Sequence, residues 1–183
     1  MKKPLLFLVA HWKDLASIFV LTGLCCVPVL AQEKNKVSNF VRNALAARSK
    51  EIIAATIEMP PDKFNFKPSP EDMTFGQLNL HVAVGNYLYC SKIGGIAEPE
   101  LPQISDTEPK DKLVERLKSS FDFCTTALAK LDDSNKSETL MLGDMKTSRA
   151  MAILTLTGTW SDHFAMQARY LQANGRVPPT AKN

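Results

Sequence analysis

The stretch Ser148–Thr180, SRAMAILTLTGTWSDHFAMQARYLQANGRVPPT, constrains this chain more than any other. It reads as one long helix, closed by Asn174-Gly175 and stopped by Pro178-Pro179. Asn or Gly just past a last helical turn accepts the left-handed conformation, and proline cannot continue a helix. Ile153, Trp160, Phe164 and Leu171 recur on one side of it as a single buried stripe. His163 lies at the edge of that stripe. The middle, Thr155-Leu156-Thr157-Gly158-Thr159, is poor in helix formers. These small residues either make room for a neighbour or sit opposite the core, and the second reading is preferred.

Three further helices are expected. The first runs from about Val37 to Met59, with Val41, Leu45, Ile52 and Thr56 on one face, and ends at Pro60-Pro61. Phe64 and Phe66, in the polar connection that follows, are expected to tuck back onto the bundle. The second helix has the clearest start, Thr74-Phe75-Gly76-Gln77. Threonine at the N-cap with glutamine three residues later is a capping box. Phe75, Leu78, Val82, Gly85 and Tyr89 form its expected seam, and Gly94-Gly95 closes it. His81 falls to one side of that seam and Cys90 to the other flank. The third helix, about Lys110 to Leu131, carries Val114, Leu117, Phe121, Cys124, Leu128 and Leu131 on its stripe. Thr147 or Ser148 caps the fourth. No run alternates at period two, so the fold class is all-α, a four-helix bundle with long connections.

Composition bounds the rest. The N-terminus begins Met1-Lys2-Lys3, passes through an apolar run from Leu15, and ends in Val29-Leu30-Ala31. A basic start, an apolar middle and small residues at the −3 and −1 positions describe a secretory signal peptide over residues 1–31. The domain is then 32–183, exported to the periplasm or secreted, without stable membrane insertion once the leader is cleaved. The alternative is anchoring by an uncleaved leader. Cleavage leaves 19 basic and 18 acidic residues, a balance that gives no case for nucleic acid, which needs a concentrated basic face. Two cysteines remain, Cys90 and Cys124. Cys124 reads first as a small buried hydrophobe; a Cys90–Cys124 disulfide is the other reading, chemically open to an exported protein.

Chemistry rests on two histidines, His81 and His163. His81 lies about 10 Å into its helix from the cap and His163 about 16 Å from the end of its own. If the two helices run antiparallel, the imidazoles face one another and begin a metal site, since neutral imidazole suits Zn, Ni, Cu or Fe. A catalytic zinc has three protein ligands and an open position. One turn before His163 stands Thr159. Asp162 is about 100° around the helix, and Gln167 is on the correct face but is a weak ligand. On composition alone, two inward histidines are more often satisfied core residues than ligands. No CxxCH, CxxC pair, GxSxG elbow or phosphate-binding glycine loop is present.

The capped helix TFGQLNLHVAVGNYLYC, the preceding FNFKPSPEDMTFGQL and the last helix GTWSDHFAMQARYLQANGRVPP together resemble the DinB/YfiT-like four-helix bundles. The resemblance covers about Ser38 to Thr180. It implies up-down-down-up connectivity and a divalent metal held by three histidines, one from the second helix and two from an HxxxH on the last. His81 matches the first and His163 the second of the HxxxH pair, while Thr159 stands at the remaining position. Family members often continue after that histidine as Tyr-Gly-Gln; this chain has Phe164-Ala165-Met166. The resemblance further implies a low-molecular-weight thiol or water as the species a metal would activate. The expectation is an exported DinB-like bundle with a degenerate or two-histidine divalent metal site (Zn, Ni or Fe). Its role is binding or structural, toward a small-molecule ligand or thiol, or as a homodimer. The alternative is a divalent-metal-dependent thiol S-transferase or hydrolase.

Overall fold

Helix α1 (Lys36–Glu58) leads through a 3-10 turn into α2 (Phe75–Gly94), followed by α3 (Lys110–Leu128) and α4 (Arg149–Ala173). A computed structural model describes residues 34–182, so the leader expected over 1–31 lies outside the described residues. The cap of α2 is the capping box expected: the Gln77 amide N–H donates to the Thr74 hydroxyl at 3.0 Å and the Thr74 N–H donates to the Gln77 side chain at 2.8 Å. Ser148 caps α4, accepting from the Met151 N–H at 3.2 Å. Gly175, at φ 67°, supplies the left-handed turn that ends α4.

Side-chain contacts fix the directions. Asn86 meets Ser120 and Cys90 meets Cys124, so α2 and α3 run parallel. Arg48 lies over the Phe164 ring and Arg176 pairs with Glu58, so α1 and α4 run parallel. Arg42 reaches the end of α3, and Ile93 meets Arg149 at the start of α4, so the two pairs oppose one another. The connectivity is up-down-down-up. Where α1 and α3 lie side by side, each closes the other's open carbonyls. Arg42 donates to the Leu128 and Leu131 oxygens, and Lys110 to those of Ile57 and Met59. Asp133 takes the Val37 and Ser38 N–H groups at 3.0 and 2.8 Å, capping α1 from a residue far along the chain.

The expected stripes are buried at Val41, Leu45, Ile52, Leu117, Phe121, Leu128, Ile153, Trp160 and Leu171. Phe64 and Phe66 turn inward, edge-on to Phe75 and Tyr170 at 5.3 and 6.3 Å between ring centres. Gly158 sits on an open outer face, as the preferred reading of these small residues expects, whereas Thr157 is buried and donates to the Ile153 carbonyl at 3.0 Å. Among the described residues, no helix is long and apolar enough to cross a membrane.

Three expectations need correction. The seam of α2 is rotated: Gly85 and Tyr89 are only half-buried, and Asn79, Asn86 and Cys90 take the inner positions. Cys124 is not a free thiol but is bonded to Cys90, with the Cα atoms 5.1 Å apart. The connection between α3 and α4 is not wholly irregular. It holds an antiparallel hairpin, β1 (Thr139–Leu142) and β2 (Met145–Ser148), turning at Gly143. β1 does alternate in burial, with Leu140 and Leu142 inward, but exposed Met141 between them hides the pattern.

Two stability measurements follow from the α2–α3 contact. Replacing both cysteines by serine is expected to lower the unfolding free energy by about 2–4 kcal/mol, since the bond closes a long loop. In urea titrations, reductant should lower the wild-type midpoint similarly and leave the variant unmoved. Asn86 is buried and joins Ser120 Oγ (2.9 Å) to the Trp160 indole N–H (2.7 Å). Asn86→Leu orphans that N–H and is expected to cost about 1–3 kcal/mol. In a Trp160→Phe background the same change should cost clearly less; an unchanged cost would refute the pairing.

Candidate functional site

The antiparallel α2–α4 interface is a ladder of polar contacts. Tyr170 donates to the Met73 carbonyl at 2.6 Å, Gln167 Nε2 to Asn79 Oδ1 at 2.7 Å, and Trp160 Nε1 to Asn86 Oδ1 at 2.7 Å. The histidines lie on the outer edge of this ladder, between the two amide rungs. Buried amide contacts tolerate little slippage, because a shifted helix leaves their donors unpaired in a dry interior. The rungs therefore set the register that brings His81 and His163 together.

The imidazole centres are 5.2 Å apart and the ring planes are inclined by 33°. His163 is half-buried, and His81 is exposed on the outer side of the bundle. His163 Nδ1 lies 2.7 Å from the Thr159 carbonyl oxygen one turn earlier. A carbonyl can only accept, so Nδ1 carries a proton, and in the neutral ring Nε2 is the nitrogen with the free lone pair. Thr159 thus contributes its backbone, holding the imidazole in one tautomer. Partial desolvation of its ring where it packs beside α4 pushes the His81 pKa below its ordinary value of 6.5, and the charge of a protonated His163 pushes it in the same direction.

The remaining candidates do not join the pair. Gln167 is fully buried, and its amide turns into the core toward Thr56 (2.9 Å) and Asn79 (2.7 Å). Its Oε1 finds no hydrogen-bond partner among the described residues. Asp162 is exposed. No group of three or more His, Cys, Asp or Glu side chains able to hold a metal occurs among the described residues. Asn79 and Asn86, which position the site, were missed by a reading of apolar periodicity. The signal available was two asparagines seven residues apart on one face of a helix otherwise rich in apolar residues.

The chain is an up-down-down-up four-helix bundle whose second and fourth helices bring two histidines together. The bundle fold has a solved counterpart. The crystal structure of a DinB-like protein, YjoA, from Bacillus subtilis superposes with a TM-score of 0.62 at 14% identity, over 75% of this chain and 92% of that one. The chain has a DinB-like fold. No protein-family model matches it, and no curated protein matches it in sequence.

A depressed pKa makes protonation of His81 unfavourable to folding. The stability it contributes is fully present above the unfolded value and is lost as pH falls through that value toward the folded one. In metal-free protein followed by NMR, the His81 midpoint is expected below 6.5, and His163→Ala is expected to move it upward. A midpoint at or above the ordinary value would count against the pairing.

Proposed function

We propose that this chain is an exported DinB-like bundle whose His81–His163 pair binds one divalent metal ion, Zn, Ni or Fe. Its role is ligand binding or structure, not turnover. One observation carries the reading: two imidazoles from facing helices, 5.2 Å apart, with the tautomer of one fixed by a backbone carbonyl. Two imidazoles sharing a tetrahedral ion, each with its nitrogen about 2.0–2.1 Å away, have ring centres about 5 Å apart. The spacing therefore suits a shared ion without rearrangement of the helices. The Thr159 carbonyl suits a metal-ligating histidine, since accepting from Nδ1–H orients the ring and raises the basicity of Nε2.

Two protein nitrogens make a weaker site than three. A threonine hydroxyl is a poor ligand beside imidazole, so Thr159 supports binding over the divalent-metal-dependent transferase or hydrolase chemistry of the alternative reading. A bound ion would supply Lewis acidity, lowering the pKa of a coordinated water or thiol. His81 and His163 would hold it at the outer edge of the α2–α4 interface. Export is supported by the leader-like N-terminus and by the buried Cys90–Cys124 bond, since structural disulfides persist chiefly in oxidising compartments.

The test is elemental analysis of tag-free protein equilibrated with zinc and desalted, beside His81→Ala and His163→Ala. About one equivalent in the wild type, lost in both variants, is expected. Thr159→His should tighten zinc binding by about tenfold or more by completing a three-nitrogen set. Absence of metal from the wild type, with both alanine variants only slightly less stable, would make the histidines ordinary wall residues and end the proposal.

A further inference from the structure

A different flank of α2 carries a second feature, separate from the histidines. The segment that crosses from α2 to α3, rich in proline, lies against Leu80, Val84 and Tyr87 and leaves a groove of about 240 Å³. That is just below the usual range of roughly 300–1,000 Å³ for ligand pockets, and fits a ligand smaller than a drug. Leu101 and Ile104 from the crossing segment complete an apolar wall, and Arg116 of α3 stands at its side.

The polar side chains on its lining are few: Tyr87, Arg116, Gln103 and Glu98. Tyr87 is 7% exposed and packs on Phe123 with ring centres 5.4 Å apart. Its hydroxyl makes no hydrogen bond among the described residues, yet it is not among their sealed, unpartnered atoms, so it is open to the groove. A phenol this deeply buried ordinarily satisfies its hydroxyl. Arg116 donates one N–H to the Pro102 carbonyl at 2.9 Å, which pins the crossing segment, and it forms no ion pair among the described residues. Its charge acts on the Tyr87 hydroxyl, lowering a pKa that burial raises and Asp122 raises further. The one carboxylate on the rim, Glu98, accepts from the Ser91 hydroxyl at 3.3 Å.

We propose that this groove binds a small organic carboxylate with an apolar body, its charge taken by Arg116 and the Tyr87 hydroxyl and its hydrocarbon laid on Leu80, Val84, Leu101 and Ile104. An arginine whose fork is only partly engaged offers paired donors matched to a carboxylate. The Tyr87 hydroxyl, on the same groove lining, is a further donor. The site does not use His81 or His163, so it stands or falls independently of the metal.

The test is calorimetric titration of the purified protein with octanoate, octylamine and octan-1-ol, with NMR shifts to locate the ligand. Octanoate is expected to bind with Kd about 1 mM or tighter, shifting the resonances of Tyr87 and Ile104. Arg116→Gln should weaken it about tenfold and Tyr87→Phe several-fold, while Arg116→Lys, which keeps the charge, recovers part of the loss. Thermal melts of each variant confirm that the bundle is intact. Equal binding of octan-1-ol would show an apolar crevice only. Stronger binding of octylamine would make Glu98 the anchor. Either result, or the absence of octanoate binding up to about 10 mM, overturns the proposal. His81→Ala should leave octanoate binding unchanged.

Discussion

The close parallel approach of α2 and α3 is the contact on which the rest depends. Three levels of small residues make it: Asn86 against Ser120, Cys90 bonded to Cys124, and Gly94 against Ala127. A side chain at Gly94 would fall on the Ala127 carbonyl, so that level admits only glycine without a shift of backbone. Two consecutive helices that run parallel cannot be joined by a tight turn. The chain has to travel back along the bundle, and residues 95–109 do so. Gly76 lets that segment pass over the start of α2, since a Cβ there would lie 2.5 Å from the Asp106 carbonyl oxygen. The groove lined by Tyr87 and Arg116 is a consequence of this return path.

The same contact reaches the histidines through Asn86. Its amide nitrogen donates to Ser120 on α3, and its carbonyl accepts from Trp160 on α4. One buried side chain thereby links the register of three helices. A second amide pair, Asn79 with Gln167, repeats the device and includes Thr56 of α1. Apolar packing alone would permit α4 to slide by fractions of a turn at small cost, whereas an unpaired amide in the interior costs on the order of 1–3 kcal/mol. Buried amides contribute modestly to net stability and strongly to uniqueness of register. The imidazole separation of 5.2 Å inherits that uniqueness.

Much of this was legible in the residues. Caps and breakers are local chemistry, so Thr74 with Gln77, Ser148, and Asn174-Gly175 marked helix ends that the structure keeps. Stripes on α1, α3 and α4 were visible because their inward residues are mostly apolar. The seam of α2 was misplaced because its innermost positions include Asn79 and Asn86, which a periodicity of apolar residues counts as outward. That rotation also made the disulfide the second reading. With Cys90 placed on a flank, Cys124 read first as a buried hydrophobe, whereas in the true seam the two cysteines face each other. The capping of α1 by Asp133 is a contact across nearly a hundred positions, for which no local pattern exists. His81 and His163 were found because histidine is rare here, and their pairing required only that α2 and α4 run antiparallel.

Helix α2 divides its circumference among three tasks, and this division separates the two candidate sites. One flank, with Asn86, Cys90 and Gly94, is locked to α3. The edge beside α4 carries His81. The flank beneath the crossing segment carries Leu80, Val84 and Tyr87. Because the locked flank fixes the helix in rotation as well as translation, His81 cannot turn toward the groove and Tyr87 cannot turn toward the histidines. Leu80, next to His81 in the chain, and the exposed Val84, one turn on, are the groove residues nearest the pair along the helix. A ligand filling the groove would therefore sense the histidines only by extending past Val84 across the outer surface. On this geometry, the proposed carboxylate site at Arg116 and the proposed metal site at His81 and His163 would fill independently on one rigid helix.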